Sequence, residues 1–213
     1  MNTIMKIFTT VLFLALGLQT IHAQNKHKFY NVDGNEITQE QFESQYDRLK
    51  NFILDYERSN SSEHRLINYQ SEEQLNSSKT SKIYNYLESI TGKELDRDKN
   101  LLVSYLSATN SKIDGDSKWD VLNQRYNEII EERGDVIRLW VHSPDLKNLE
   151  PFQIKDITWS ADKDRMLEKQ LFPENVPYGG FLILQPDGKA YVRLHEHSNQ
   201  DITENVERLL GKK

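Results

Sequence analysis

The stretch from Asn175 to His195, NVPYGGFLILQPDGKAYVRLH, constrains the fold more than any other part of the chain. Phe181 to Leu184 is a short unbroken apolar run, the pattern of a strand covered on both faces. Pro186-Asp187-Gly188 then supplies a fixed φ, a turn-forming carboxylate and a residue free to adopt positive φ. From Ala190 the pattern alternates, with Tyr191, Arg193 and His195 on one face and Val192, Leu194 and Glu196 on the other. Together these features predict a β-hairpin within a sheet that the rest of the chain must complete and cover.

Upstream, Lys28 to Leu75 carries mixed signals. Phe29-Tyr30 precedes a turn at Asp33-Gly34-Asn35, and Thr38 stands ahead of Phe42, Tyr46 and Leu49 at helical spacing, with Gln41 completing a capping box. Asn51 to Glu57 reads as a strand and Ser59 to Ser62 as a loop. From Ser78 a helix is expected, with Ile83, Tyr86, Leu87 and Ile90 inward and Gly92 as its left-handed stop. Leu101 to Leu106 and Val136 to Val141 read as buried strands. Between them Trp119, Leu122, Tyr126 and Ile129 line a helix closed by Gly134, so the segment is a βαβ unit with two parallel strands. A helix over Ala161 to Phe172, with Met166, Leu167 and Leu171 inward, precedes the hairpin. A last helix, capped by Asn199 or Asp201, carries Ile202, Val206, Leu209 and Leu210 up to Gly211.

The first residues have the form of a secretory leader: Lys6, an apolar run from Ile7 to Leu18, and Ile21-His22-Ala23 ahead of an expected cleavage. The run is too short to span a bilayer comfortably, and no later run approaches ~20 apolar residues. The expected organisation is a leader over 1–23, a small N-terminal α+β segment over 24–77 and an α/β domain over 78–213, in a periplasmic or secreted protein. Loss of the leader takes the net charge from −6 to −7, which disfavours nucleic acid as a partner. The chain has no cysteine, so neither a disulfide framework nor a lipid anchor on cysteine is available.

A βαβ unit followed by a helix, Val176-Pro177, an antiparallel hairpin and a terminal helix resembles the thioredoxin-like superfamily, over residues 98–211. The nearest local match runs from Val176-Pro177 through Phe181-Leu-Ile-Leu184 to Asp187-Gly188-Lys189, and Gly179-Gly180 and Pro186 lengthen it relative to the family pattern. The resemblance implies a thioredoxin-like mixed sheet flanked by helices. It also implies a cis proline at Pro177, with the backbone of Val176 pairing with an extended substrate. The family's redox cysteines fall where this chain has Ser107 to Asp116. Without a thiolate, disulfide oxidoreductase and thiol peroxidase chemistry is excluded for the chain acting alone. The expectation is a non-catalytic, cofactor-free binding or accessory protein for an extended polypeptide of the envelope or a small acidic ligand. Its candidate residues are Thr109, Asn110 and Ser111 at a helix start and Val176, Pro177 and Tyr178 at the strand edge.

Two other readings compete. His195 and His197, on one face if the alternation continues, could hold zinc or copper with a further ligand such as Asp201. A structural envelope or matrix component fits the composition equally well. His142, Ser143 and Asp145 follow a strand, but their adjacency in sequence is no evidence for a triad. The pairs Glu72-Glu73 and Glu131-Glu132 read as solvated helix faces.

Overall fold

A computed structural model describes residues 26–59, 61–107, 124–152, 157–173 and 176–212. The expected leader, and most of the loop that carries Thr109, Asn110 and Ser111, lie outside the described residues. The chain is mixed α/β, with two mixed sheets and, among the described residues, ten strands and five α-helices. Its described residues divide into two compact units, one of 26–45 with 55–66, the other of 46–54 with those from 67 onward. Among the described residues no helix is long and apolar enough to cross a membrane.

In the first unit, β1 (Lys26–Tyr30) pairs antiparallel with β2 (Glu36–Ile37) and parallel with β4 (Ser61–Asn68). Strand β3 (Asn51–Arg58) completes the order β2-β1-β4-β3, and β3 and β4 are each divided between the two units. Helix α1 (Gln39–Gln45) starts at the expected capping box: Gln41 N–H donates to Thr38 Oγ1, and Thr38 N–H donates to Gln41 Oε1. The helix buries Phe42, whose ring lies 5.1 Å from that of Phe29. On the same sheet Asp55 Oδ1 lies 2.7 Å from His64 Nδ1, and His64 Nε2 lies 2.8 Å from His27 Nδ1. The imidazole planes are within 17° of each other and the rings meet end to end. A carboxylate accepts only, so His64 Nδ1 carries hydrogen; with both rings neutral, His27 is then the donor to His64.

The second unit is built on a six-stranded sheet of order β5-β10-β9-β6-β7-β8. Its strands are β5 (Gln70–Gln74), β6 (Asn100–Leu106), β7 (Val136–His142), β8 (Trp159–Ala161), β9 (Gly180–Leu184) and β10 (Lys189–Leu194). Strands β6, β7 and β8 are mutually parallel, while β9 runs antiparallel to both β6 and β10. The hairpin register sets Leu184 opposite Ala190 and Gly180 opposite Leu194. Strand β5 lies antiparallel on β10, so the large sheet begins at Gln70, inside the segment assigned on sequence to the N-terminal part. All its residues are exposed, and two glutamates blunt this open edge.

On one face of the sheet Leu102, Leu106, Trp140, Phe181, Ile183 and Tyr191 form a core with Ile130 of α3 (Gln124–Glu132) and Ile202 and Val206 of α5 (Asn199–Leu210). Helix α2 (Ser77–Thr91) buries Ile83, Tyr84 and Leu87, and ends as expected on left-handed Gly92, whose N–H donates to Glu88 O. Helix α4 (Met166–Gln170) is shorter than expected. Ala161 closes β8, and Arg165 takes a left-handed backbone (φ 54°) that fixes where α4 can begin. In α3 the side toward the sheet also differs: Ile130 is 1% exposed and Ile129 is 40% exposed. Trp119 and Leu122 lie outside the described residues. The cap of α5 is Ser198, one residue ahead of the expected Asn199, with Asp201 closing the box.

Candidate functional site

Parallel strands present their carboxyl ends along one edge of a sheet, where open α/β sheets collect ligands. Here that edge gathers Tyr105 to Ser107 after β6, His142 and Ser143 after β7, Asp162 after β8, the start of β9 and the end of β10. Two groups of side chains occupy it.

The first is a buried polar network. Asp162, fully buried, accepts from the backbone N–H groups of Met166 (2.9 Å), Leu167 (3.4 Å) and Glu168 (2.9 Å), and from the Tyr86 hydroxyl (2.5 Å). Its carboxylate therefore supplies the acceptors that Arg165, with no capping bond of its own, cannot give to α4. Glu168 accepts from the Tyr105 hydroxyl (3.3 Å), the Ser143 hydroxyl (3.1 Å) and Arg165 Nη1 (3.0 Å). Arg165 Nη2 also reaches Asp145, at 2.6 Å. Burial, with the neighbouring carboxylates, pushes the Tyr105 and Tyr86 phenols well above the ordinary tyrosine range, so both remain fixed donors. The Asp145 and Glu168 bonds hold the Arg165 guanidinium firmly protonated. Ser143 gives its proton to Glu168, and the neighbouring His142 Nδ1 lies 2.8 Å from the Ser143 carbonyl, so these residues form no Ser-His-Asp triad. The network orders the edge.

The second group is aromatic. His195 lies against Phe52 (5.1 Å), Tyr69 (5.7 Å) and Tyr178 (5.7 Å), and Arg193 stacks 5.3 Å over the Tyr69 ring. Tyr69, Tyr178 and His195 are half-buried. Two glycines bring the backbone together beneath them: a Cβ at Gly179 would strike the Tyr105 carbonyl, and one at Gly180 the Arg193 carbonyl. The Gly179 carbonyl accepts from His195 N–H at 2.9 Å, which ties the turn to the end of β10.

Of the residues singled out on sequence, Val176, Pro177 and Tyr178 form this turn. Val176 is fully buried; its N–H donates to Pro173 O and its C=O accepts from Gly179 N–H, both at 3.3 Å. No cis peptide occurs among the described residues, so Pro177 is trans. This departs from the cis proline and free Val176 backbone that the family resemblance implies: the turn already uses the groups an extended chain would pair with.

His195 and His197 do not act as neighbours on a strand. Strand β10 ends at Leu194, and the left-handed backbone of His195 (φ 70°) breaks the alternation that would align the rings. The His197 ring instead packs 5.2 Å from Phe181, with Nδ1 2.9 Å from the His195 carbonyl. Burial lowers His197 to about 4, and burial also lowers His195. Among the described residues, no three His, Cys, Asp or Glu side chains are placed to hold a metal.

The aromatic group was missed on sequence because Phe52, Tyr69, Tyr178 and His195 are far apart in the chain. The two consecutive glycines were the one local signal that the backbone there comes close to another strand. No family model matches the chain, and no curated protein or solved structure shows significant similarity to it.

Proposed function

We propose that the protein is exported and acts as a cysteine-free, thioredoxin-like binding module that takes an extended polypeptide against Pro177, Tyr178, Tyr69 and His195. The observation that carries this reading is the pairing of Tyr178 and His195, two non-glycine residues in left-handed conformation (φ 64° and 70°) whose rings touch. Bulky residues held in that region mark positions that the surrounding fold over-determines, and such positions cluster at ligand sites. Half-buried aromatic residues beside a stacked arginine offer apolar contact with little conformational entropy to lose.

The strand order β10-β9-β6-β7, with β6 and β7 parallel and β9 antiparallel between β6 and β10, supports the thioredoxin-like part of the reading. The absence of cysteine from the whole chain supports binding over thiol exchange. Because the Val176 backbone is engaged in its turn, recognition here rests on side chains rather than on added strand pairing.

The test is fluorescence anisotropy of a labelled, carboxymethylated and permanently unfolded test protein titrated with the full chain. Saturable binding that weakens about tenfold or more in Tyr178→Ala, as for an aromatic anchor, is expected. Binding equal in wild type and a folded Tyr178→Ala, or no binding at all, contradicts the proposal.

A further inference from the structure

Arg138 lies on the α3 side of the sheet with its guanidinium 4.1 Å over the Trp140 ring. Its Nη1 donates to Asn127 Oδ1 on α3 at 2.5 Å. Its Nε and Nη2 are buried and, among the described residues, have no hydrogen-bond partner. These two nitrogens form one complete edge of the guanidinium, the fork that meets both oxygens of a carboxylate or phosphate. The face and the Nη1 end are held by the protein, which fixes the direction of the remaining edge.

Among the described residues no carboxylate hydrogen-bonds to that guanidinium. Glu131 acts on Arg138 through its charge, without a hydrogen bond to it. Asp201 is committed to the α5 cap, where its Oδ2 accepts from Ser198 N–H and Oγ–H, both at 2.7 Å. Ser104, on the neighbouring strand β6 opposite Trp140, has a buried hydroxyl that is also without a partner among the described residues. Burial lowers Arg138 to about 9, and the Arg138 and Arg193 charges add to the lowering of His197. A buried cation with a complete donor edge unpaired is costly to the fold unless an anion meets it.

We propose that the Nε–Nη2 edge of Arg138 is a binding site for an oxyanion, a carboxylate or a phosphoryl group, held bidentately with the Ser104 hydroxyl as a further donor. The site stands apart from the polypeptide surface and does not depend on it, because it uses none of Tyr69, Pro177, Tyr178 or His195.

The test titrates the full chain with sodium phosphate and, separately, with sodium succinate, with chloride holding the ionic strength constant. The readouts are Tm and the assigned Nε–H resonance of Arg138. A saturable rise in Tm with a shift of that resonance is expected for at least one anion; a response to phosphate alone assigns a phosphoryl ligand, and a response to succinate assigns a carboxylate. Arg138→Lys keeps the charge and loses the fork, and is expected to weaken binding about tenfold or more. If Arg138→Lys does not fold, the wild-type resonance decides. No shift of that resonance with either anion, or unchanged affinity in folded Arg138→Lys, overturns the proposal.

Discussion

Tyr178 and His195 both hold a left-handed backbone, at φ 64° and 70°, and their rings meet edge to face at 5.7 Å. For an L-residue this conformation costs roughly 1–2 kcal/mol, which glycine does not incur. His195→Gly therefore removes strain while also removing ring contacts to Phe52, Tyr69 and Tyr178. The two effects oppose each other, so urea unfolding should place His195→Gly within about 1 kcal/mol of wild type. A loss well beyond that would mean that the ring is a core element rather than part of a surface.

Gly179 is the opposite case, a position where nothing larger fits. Its φ is 83°, and a Cβ there would enter the Tyr105 carbonyl and press on Ser107 N at 3.0 Å. Both obstacles are backbone of the central strand β6 or its continuation, which cannot swing aside as a side chain can. Gly179→Ala should cost ~3 kcal/mol or more, seen as a lower urea midpoint with an unchanged m-value. Gly92→Ala, with open space around its Cβ and φ 67°, should cost only ~1 kcal/mol.

The bond from Tyr86 to Asp162 joins α2 to the start of α4. Asp162→Ala strips acceptors from three backbone N–H groups and from a phenol at once, and should cost ~3 kcal/mol or more. Tyr86→Phe removes one donor from a carboxylate that keeps its backbone partners, and should cost ~1–2 kcal/mol. In the double variant the costs should fall short of additive, because the shared hydrogen bond is lost only once. Strict additivity in a urea double-mutant cycle would show that the two residues act separately.

His197 makes the stability depend on pH in a stated direction. Burial lowers it from 6.5 to about 4 in the folded protein, so between those values the unfolded chain binds the proton that the folded chain refuses. Its contribution is fully present above pH 6.5 and is lost as pH falls toward 4, a change of ~3 kcal/mol across the window. The lowered His195 adds in the same direction. Unfolding free energies at pH 7, 6 and 5 should fall steadily in wild type and less steeply in His197→Phe. Equal slopes in the two proteins would remove His197 from the account.

Much of the fold could be read from local pattern. The β9–β10 hairpin, the parallel pair β6 and β7, the Thr38 box and the Gly92 stop all announce themselves in short stretches, because each depends on neighbours in sequence. Strand β5 could not be read that way: Gln70-Ser-Glu-Glu-Gln74 buries nothing and joins β10 through backbone pairing, with the Tyr191 hydroxyl donating to Gln70 Oε1. Strand β8 has three residues, too few to show a period. The alternation drawn through His195 and His197 failed because one left-handed residue ends it. The polar network was hidden for a different reason: Tyr86, Tyr105, Ser143, Asp162 and Glu168 are brought together by the tertiary fold. The unpaired edge of Arg138 likewise follows from what surrounds it, and a strand pattern records only which face it shares.

The central claim is that the turn at Tyr178 and the end of β10 form a surface for an extended polypeptide. Amide hydrogen exchange of the full chain, with and without a saturating carboxymethylated unfolded protein, tests it most directly. The account predicts slower exchange upon addition, concentrated at Tyr178 to Gly180, at His195 and at Tyr69. Protection confined to the open edge at Gln70 to Gln74, or no change anywhere, would contradict it.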